Sequence, residues 1–160
     1  MIRPRVKGEF VELRFADSTD LEHLVKWLND PSVYRWWGGH PVRREEIQQK
    51  YTGQRSPQVN SYIIEESGTP IGYAQSWQAT ESSCGIDIFL DPAEQGRGLG
   101  TDAVCALTRY LTEVEGRKLI TADPTPDNIR ALAMWRKAGF IPSGRSTDEG
   151  NPELVFQSHD

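Results

Sequence analysis

The ten residues Asp91 to Gly100, "DPAEQGRGLG", follow an apolar, strand-like run, "CGIDIFL" (84–90), and precede a helical pattern, "TDAVCALTRYLTEV" (101–114). Glycines stand at the alternate positions 96, 98 and 100. Glycine at that density costs backbone entropy, so the loop must serve a close approach that side chains would block. Residue order excludes two common anion loops. A P-loop needs G-x-x-x-x-G-K-[ST], and no Lys-Ser or Lys-Thr follows Gly100. A dinucleotide fingerprint needs G-x-G-x-x-G, whereas the order here is G-x-G-x-G. What remains is a strand–loop–helix unit of another kind, whose loop amides and helix dipole attract a phosphate.

The pattern extends from this unit in both directions. Upstream, "FVELRF" (10–15) alternates as a strand, and "STDLEHLVKWLND" (18–30) reads as a helix. Thr19 with Glu22 predicts its capping box, and Leu21, Leu24, Val25 and Leu28 its apolar face. "SVYRWWGGHP" (32–41) reads as a loop and "REEIQQKY" (44–51) as a short helix. "SYIIEE" (61–66) and "IGYAQSWQA" (71–79) flank "SGTP" as a hairpin. Downstream, "KLITAD" (118–123) is a strand and "DNIRALAMWRKAGF" (127–140) a helix, stopped by Gly139 in a left-handed position. "FIPSGR" (140–145) and "ELVFQ" (153–157) close the chain as strands around "STDEGNP". This order predicts a single α/β (α+β) domain over residues 1–160, a mixed sheet with helices on its faces.

Composition narrows the function. With 26% charged and 37% hydrophobic residues in 160, the chain is an ordinary globular domain. It has no apolar run of about 18 residues, and "MIRPRVKGEF" lacks a signal-peptide core, so no membrane association and a cytoplasmic location are expected. Cys84 and Cys105 form no disulfide framework, and His23, His40 and His159 give no metal spacing. The net charge of −5 argues against nucleic acid and for a small cationic partner.

Two linked motifs now stand out. "QGRGLG" (95–100) fits [QR]-x-x-G-x-[GA], and "NIRALAMWRKAGF" (128–140) gives N-x-x-A followed by a-x-K-x-G-F. Together they resemble the GNAT superfamily, the GCN5-related N-acetyltransferases. Within it, "WLNDPSVYRWWGG", "PIGYAQSW", "GIDIFLDPAEQGRGLGT" and "ADPTPDNIRA" resemble the aminoglycoside 6′-N-acetyltransferases almost end to end. The resemblance implies the GNAT fold with a mostly antiparallel sheet and acetyl-CoA as donor. It also implies an amino-sugar antibiotic as acceptor, with direct transfer in a ternary complex.

It implies roles for residues as well. Gln95, Gly96, Arg97, Gly98, Leu99, Gly100 and Thr101 form the pyrophosphate cradle, with Arg97 either a charge contact or merely an exposed arginine. Backbone amides near Ile88 and Phe89 polarise the thioester carbonyl, and Leu90 joins them in the cofactor site. Asn128 contacts the pantetheine arm or caps its helix, while Trp135 and Lys137 line the cofactor. Relatives often carry Tyr at the Trp135 position as the acid for the departing thiolate; indole cannot serve as that acid, which leaves the acid unassigned.

On the acceptor side Asp87 is the most telling residue. An aspartate inside "CGIDIFL", opposite in parity to Ile86, Ile88 and Leu90, either pairs with a cation or faces a cleft. In the resembling enzymes it binds the acceptor amine and acts as general base. Asp123 is an acceptor carboxylate or a turn residue before Pro124, and Glu149 with Asp148 extends an acidic rim or is merely solvated; Glu81 is uncommitted. Trp36 and Trp37, beside Gly38 and Gly39, form a sugar-stacking wall or a core anchor, and Tyr73 and Gln75 are candidate cleft-liners. A monomer is the expected state. Two other readings keep the fold: acetylation of another amine (a siderophore hydroxylysine, a polyamine or a protein N-terminus), and a non-catalytic CoA-binding module.

Overall fold

The computed structural model describes residues 4–158; His159 lies outside them. Eight strands form one sheet: β1 (Val6–Lys7), β2 (Glu12–Phe15), β3 (Val59–Glu66), β4 (Thr69–Gln78), β5 (Ser83–Leu90), β6 (Leu119–Ala122), β7 (Ile141–Ser146) and β8 (Pro152–Gln157). Their order is β1-β2-β3-β4-β5-β6-β8-β7, and every neighbouring pair is antiparallel except β5–β6. Five helices accompany them: α1 (Leu21–Leu28), α2 (Pro31–Tyr34), α3 (Arg44–Lys50), α4 (Leu99–Glu113) and α5 (Ile129–Lys137).

The period-two alternation of β3 to β5 separates two cores. On one face Tyr62, Ile64, Ala74 and Ile86 pack under α4 and α5 with Val104, Leu107, Leu111 and Trp135. On the other, Ile63 and Tyr73 pack under α1 and α3 with Leu24, Trp27, Leu28 and Ile47. Asp87 and Phe89 share the parity of Tyr73 and lie on this second face.

Three local expectations are corrected. The chain enters α1 one turn early, through a 3-10 turn at Ser18–Asp20; Asp17 caps it by accepting from Thr19 N (2.8 Å), and Asp20 accepts from Asp17 N (3.0 Å). Glu22, assigned to a capping box with Thr19, instead pairs with Arg44. The stretch read as a loop from Ser32 holds the one-turn α2, because Asp30 caps it and Pro31 presets its first φ. The two-residue β1 went unseen, being too short to alternate.

One feature of the sheet positions the site. β5 pairs with β6 only over Ser83–Gly85, against Leu119–Thr121, although β5 runs on to Leu90. On its other side β5 remains in unbroken register with β4, from Gly72↔Leu90 to Gln78↔Cys84. Residues 86–90 therefore have one open side. The Asp91 N–H donates to the Ile71 carbonyl (2.8 Å), so strand alternation turns the amides of Asp87 and Phe89 toward β4. The amides of Ile86, Ile88 and Leu90 face the opening. Of the amides expected near Ile88 and Phe89 to meet a ligand, only that of Ile88 is on the open side.

Candidate functional site

The opening is the floor of a cleft of about 1210 Å³ between the two helical layers. At one end lies the glycine loop. Gly96 and Gly98 have φ of +84° and +78°, a region L side chains rarely adopt, and no atom crowds the place where a Cβ would stand. Gly98 is also the N-cap of α4, which leaves the first amides of a 15-residue helix without intrahelical partners beside the cleft. Gly100 has a different reason: a Cβ there would come within 2.9 Å of Met134 Sδ, so it allows α4 to approach α5. Gly96, Gly98, Leu99, Gly100 and Thr101 all line the cleft, as does Gln95.

Arg97 does not. Its guanidinium is held outside by Glu66 (2.8 Å) and Glu94, exposed to solvent. The cation at the cradle is Arg130, which the sequence reading missed; it lines the cleft and donates to Gln95 Oε1 at 2.6 Å. Asn128 caps α5 by accepting from Ala131 N (3.2 Å) and still lines the cleft. Lys137 lines it too. Trp135 is 4% exposed and packs edge-on to Phe140 at 4.9 Å, so its ring is chiefly core that presents a margin to the cleft.

At the other end the lining is acidic. Asp87, Asp123 and Glu149 converge there with Glu46 from α3, a carboxylate the sequence reading did not name. Burial raises the pKa of Asp87; the Gln75 hydrogen bond opposes this, Asp123 adds to it, and the Trp77 hydrogen bond opposes it. Asp123 is raised by burial and by the nearby Glu149. Asp148 and Glu81 are absent from the lining.

Aromatic side chains wall this end. Trp37 is anchored: its Nε1 donates to Tyr51 Oη (2.9 Å), and its ring packs edge-on to Phe89 (5.1 Å) and Tyr73 (5.9 Å). Trp36 is the lip, with the Arg35 guanidinium 4.5 Å over its ring. Both tryptophans line the cleft. Tyr73 does not; it is fully buried behind Gln75, which does line it.

The arrangement places a carboxylate of raised pKa on the floor of a two-ended cleft, between a glycine loop at a helix N-terminus and an acidic wall. Similar proteins share the scaffold. A model of the GNAT acetyltransferase domain matches residues 17–147. The aminoglycoside N(6′)-acetyltransferase type 1 of Klebsiella pneumoniae is 37% identical over 166 residues, covering 93% of this chain and 83% of the relative. A solved structure of the type Ib aminoglycoside 6′-acetyltransferase, in complex with paromomycin and acetyl-CoA, superposes with a TM-score of 0.84 at 34% identity, covering 93% of this chain and 94% of that one. Spermidine N-acetyltransferase from Vibrio cholerae superposes with a TM-score of 0.82 at 15% identity over 94% of this chain and 96% of that one, a likeness of fold. No helix among the described residues is long and apolar enough to cross a membrane. By domain match and by identity over nearly its whole length, the chain belongs to the GNAT acetyltransferases.

Proposed function

We propose that this protein transfers the acetyl group of acetyl-CoA to an amine of an aminoglycoside, the 6′-amine by its likeness to the 6′-acetyltransferases, and so confers resistance. The observation that carries the reading is the position of Asp87, on the cleft floor between the cradle and the acidic wall. Gly96, Gly98 and the first amides of α4 fit a pyrophosphate, with Arg130 beside them, and the open side of β5 fits an extended arm. When bound, acetyl-CoA supplies an activated thioester carbonyl. Ile88 N–H faces the opening where that carbonyl's oxygen would need a donor.

The acceptor arrives as a polycation, and an ammonium has no lone pair with which to attack. Asp87 takes the proton, and the carboxyl formed is stable because burial already favours the neutral form. Asp123, Glu149 and Glu46 hold the remaining ammonium groups, while Trp36 and Trp37 wall the sugar rings. Gln75 sets the base; Tyr73 supports it from behind. No tyrosine stands at position 135 to protonate a departing thiolate, and Trp135 cannot do so, so that proton would come from solvent.

Thiol release from acetyl-CoA tests the reading, with kanamycin and tobramycin beside spermidine and a peptide amine. Saturable turnover with the aminoglycosides, and a product acetylated at the 6′-amine by mass spectrometry, is the expected result. Turnover with spermidine alone removes the antibiotic and keeps the acetyltransferase. A second expectation separates the two arginines. Arg130→Ala raises KM for acetyl-CoA by about tenfold, the loss of one charge-assisted contact, whereas Arg97→Ala changes it less than about twofold because that guanidinium is already paired at the surface.

A further inference from the structure

Arg55 lies between α3 and β3, outside the cleft lining, yet it reaches the strand pair that carries Asp87. One guanidinium nitrogen donates to Gln75 Oε1 at 3.0 Å, and the Tyr73 hydroxyl donates to the same oxygen at 2.9 Å. An amide oxygen has two lone pairs, and both are now taken. The carboxamide is left with one orientation, its NH2 turned to Asp87, where Nε2 donates to Oδ2 at 3.1 Å. Tyr73 has a single hydroxyl proton, already given to Gln75, so Ser61 Oγ donates to Tyr73 across 2.7 Å. The polar chain Ser61, Tyr73, Gln75, Asp87 thus donates in one direction, toward the carboxylate, and Arg55 is the cation that feeds it.

Arg55 has little else to hold it. Among the described residues it forms no salt bridge, its Nε is buried with no hydrogen-bond partner, and its guanidinium lies 5.4 Å over the Tyr51 ring. A guanidinium drawn out of water without its own carboxylate is unfavourable unless an anion lies near. The anion one link away is Asp87.

We propose that Arg55 is a positioning residue for the reaction, locking the Gln75 amide onto Asp87 and favouring the carboxylate of Asp87 over its neutral acid. The proposal rests on Asp87 being the base of the proposed transfer. The groups that face Asp87 are Gln75 and Trp77 on β4, Tyr51 and Arg55 at the end of and after α3, and Asp123 at the end of β6. Burial raises Asp87, the Gln75 hydrogen bond opposes it, Asp123 raises it further, and Trp77 and Arg55 oppose. A base held wholly neutral at working pH accepts no proton, so the opposing contacts keep it in use.

The direct test follows the Asp87 carboxyl carbon by NMR in aspartate-labelled protein, with Asp87→Asn assigning the signal, and needs no acceptor. In Arg55→Met the Asp87 midpoint moves to higher pH, whereas Arg55→Lys, which keeps the charge, leaves it nearer the wild-type position. An unchanged midpoint in Arg55→Met, in protein whose other aspartate signals match wild type, overturns the proposal. If Arg55→Met does not fold, Arg55→Gln, which keeps a donor but not the charge, gives the same readout. In turnover, kcat/KM of Arg55→Met falls severalfold on the acid side of the profile and recovers toward wild type as pH rises. A loss equal at every pH marks a merely structural role and also overturns it. Wild-type protein that acetylates no aminoglycoside defeats the proposed substrate, while the carboxyl titration still decides the role of Arg55.

Discussion

Asp87→Asn is expected to lower kcat/KM for an aminoglycoside acceptor by about a hundredfold to a thousandfold at pH 7, the range a positioned general base contributes. The substitution is nearly isosteric, and it removes a carboxylate whose pKa burial already raises. The fold should therefore stand, with Tm equal to or above wild type, since a partly desolvated charge is gone. KM for acetyl-CoA should stay within about twofold, because the cradle residues are untouched. The pH profile separates this account from a binding role. In wild type the base must be deprotonated, so kcat/KM falls as pH drops through the raised pKa of Asp87. In the variant that limb disappears, and the residual rate climbs with pH as the neutral fraction of the acceptor amine grows. A variant that keeps the wild-type profile, at any rate, would place the base elsewhere.

Gly85→Val should be the most damaging change outside the acceptor site. Gly85 pairs with Trp77 across β4 and β5, and the indole lies over the glycine so closely that a Cβ would fall 2.0 Å from Cζ2 and 2.5 Å from Nε1. No rotamer of the new side chain relieves a clash with its own Cβ. Either the strands part, or the indole swings away from Asp87, whose ionised form it favours. Overpacking of this kind costs about 1–3 kcal/mol, or about 2–4 °C in Tm for each kcal/mol in a chain of this size. Because Trp77 and Asp87 are linked, activity should also fall severalfold at temperatures where the protein remains folded. Thermal unfolding and turnover at 25 °C measure the two losses separately. Full stability with full activity would mean that the indole does not rest on Gly85.

The same contrast explains how much was legible in the sequence. Strand alternation in "SYIIEE" and "CGIDIFL", the helical faces, and the glycine loop are local signals, and each became the predicted element. Asp87 announced itself because a carboxylate inside a strand is locally anomalous. What stayed hidden depends on partners far along the chain. Arg97 stands in the cradle motif but is claimed by Glu66, 31 residues away, while Arg130, 35 residues from Gln95, takes the place beside it. Arg55 sits in a segment with no motif, and its meaning arises only when β3, β4 and β5 align Ser61, Tyr73, Gln75 and Asp87. Trp36 and Trp37 look alike in sequence; hydrogen bonding of Trp37 to Tyr51 made one an anchor and left the other at the lip.

The parting of β5 from β6 has a consequence beyond ligand binding. An unpaired strand flank is a template for other chains, and most sheets carry such flanks only at their outer margins, where short strands or charges blunt them. This sheet has an additional one inside, at residues 86–90. This flank opens into the cleft, which α5 lines, and not onto the outer margin of the sheet. Hydrogen-bonding backbone is thus kept recessed within the fold, away from the margins at which sheets join.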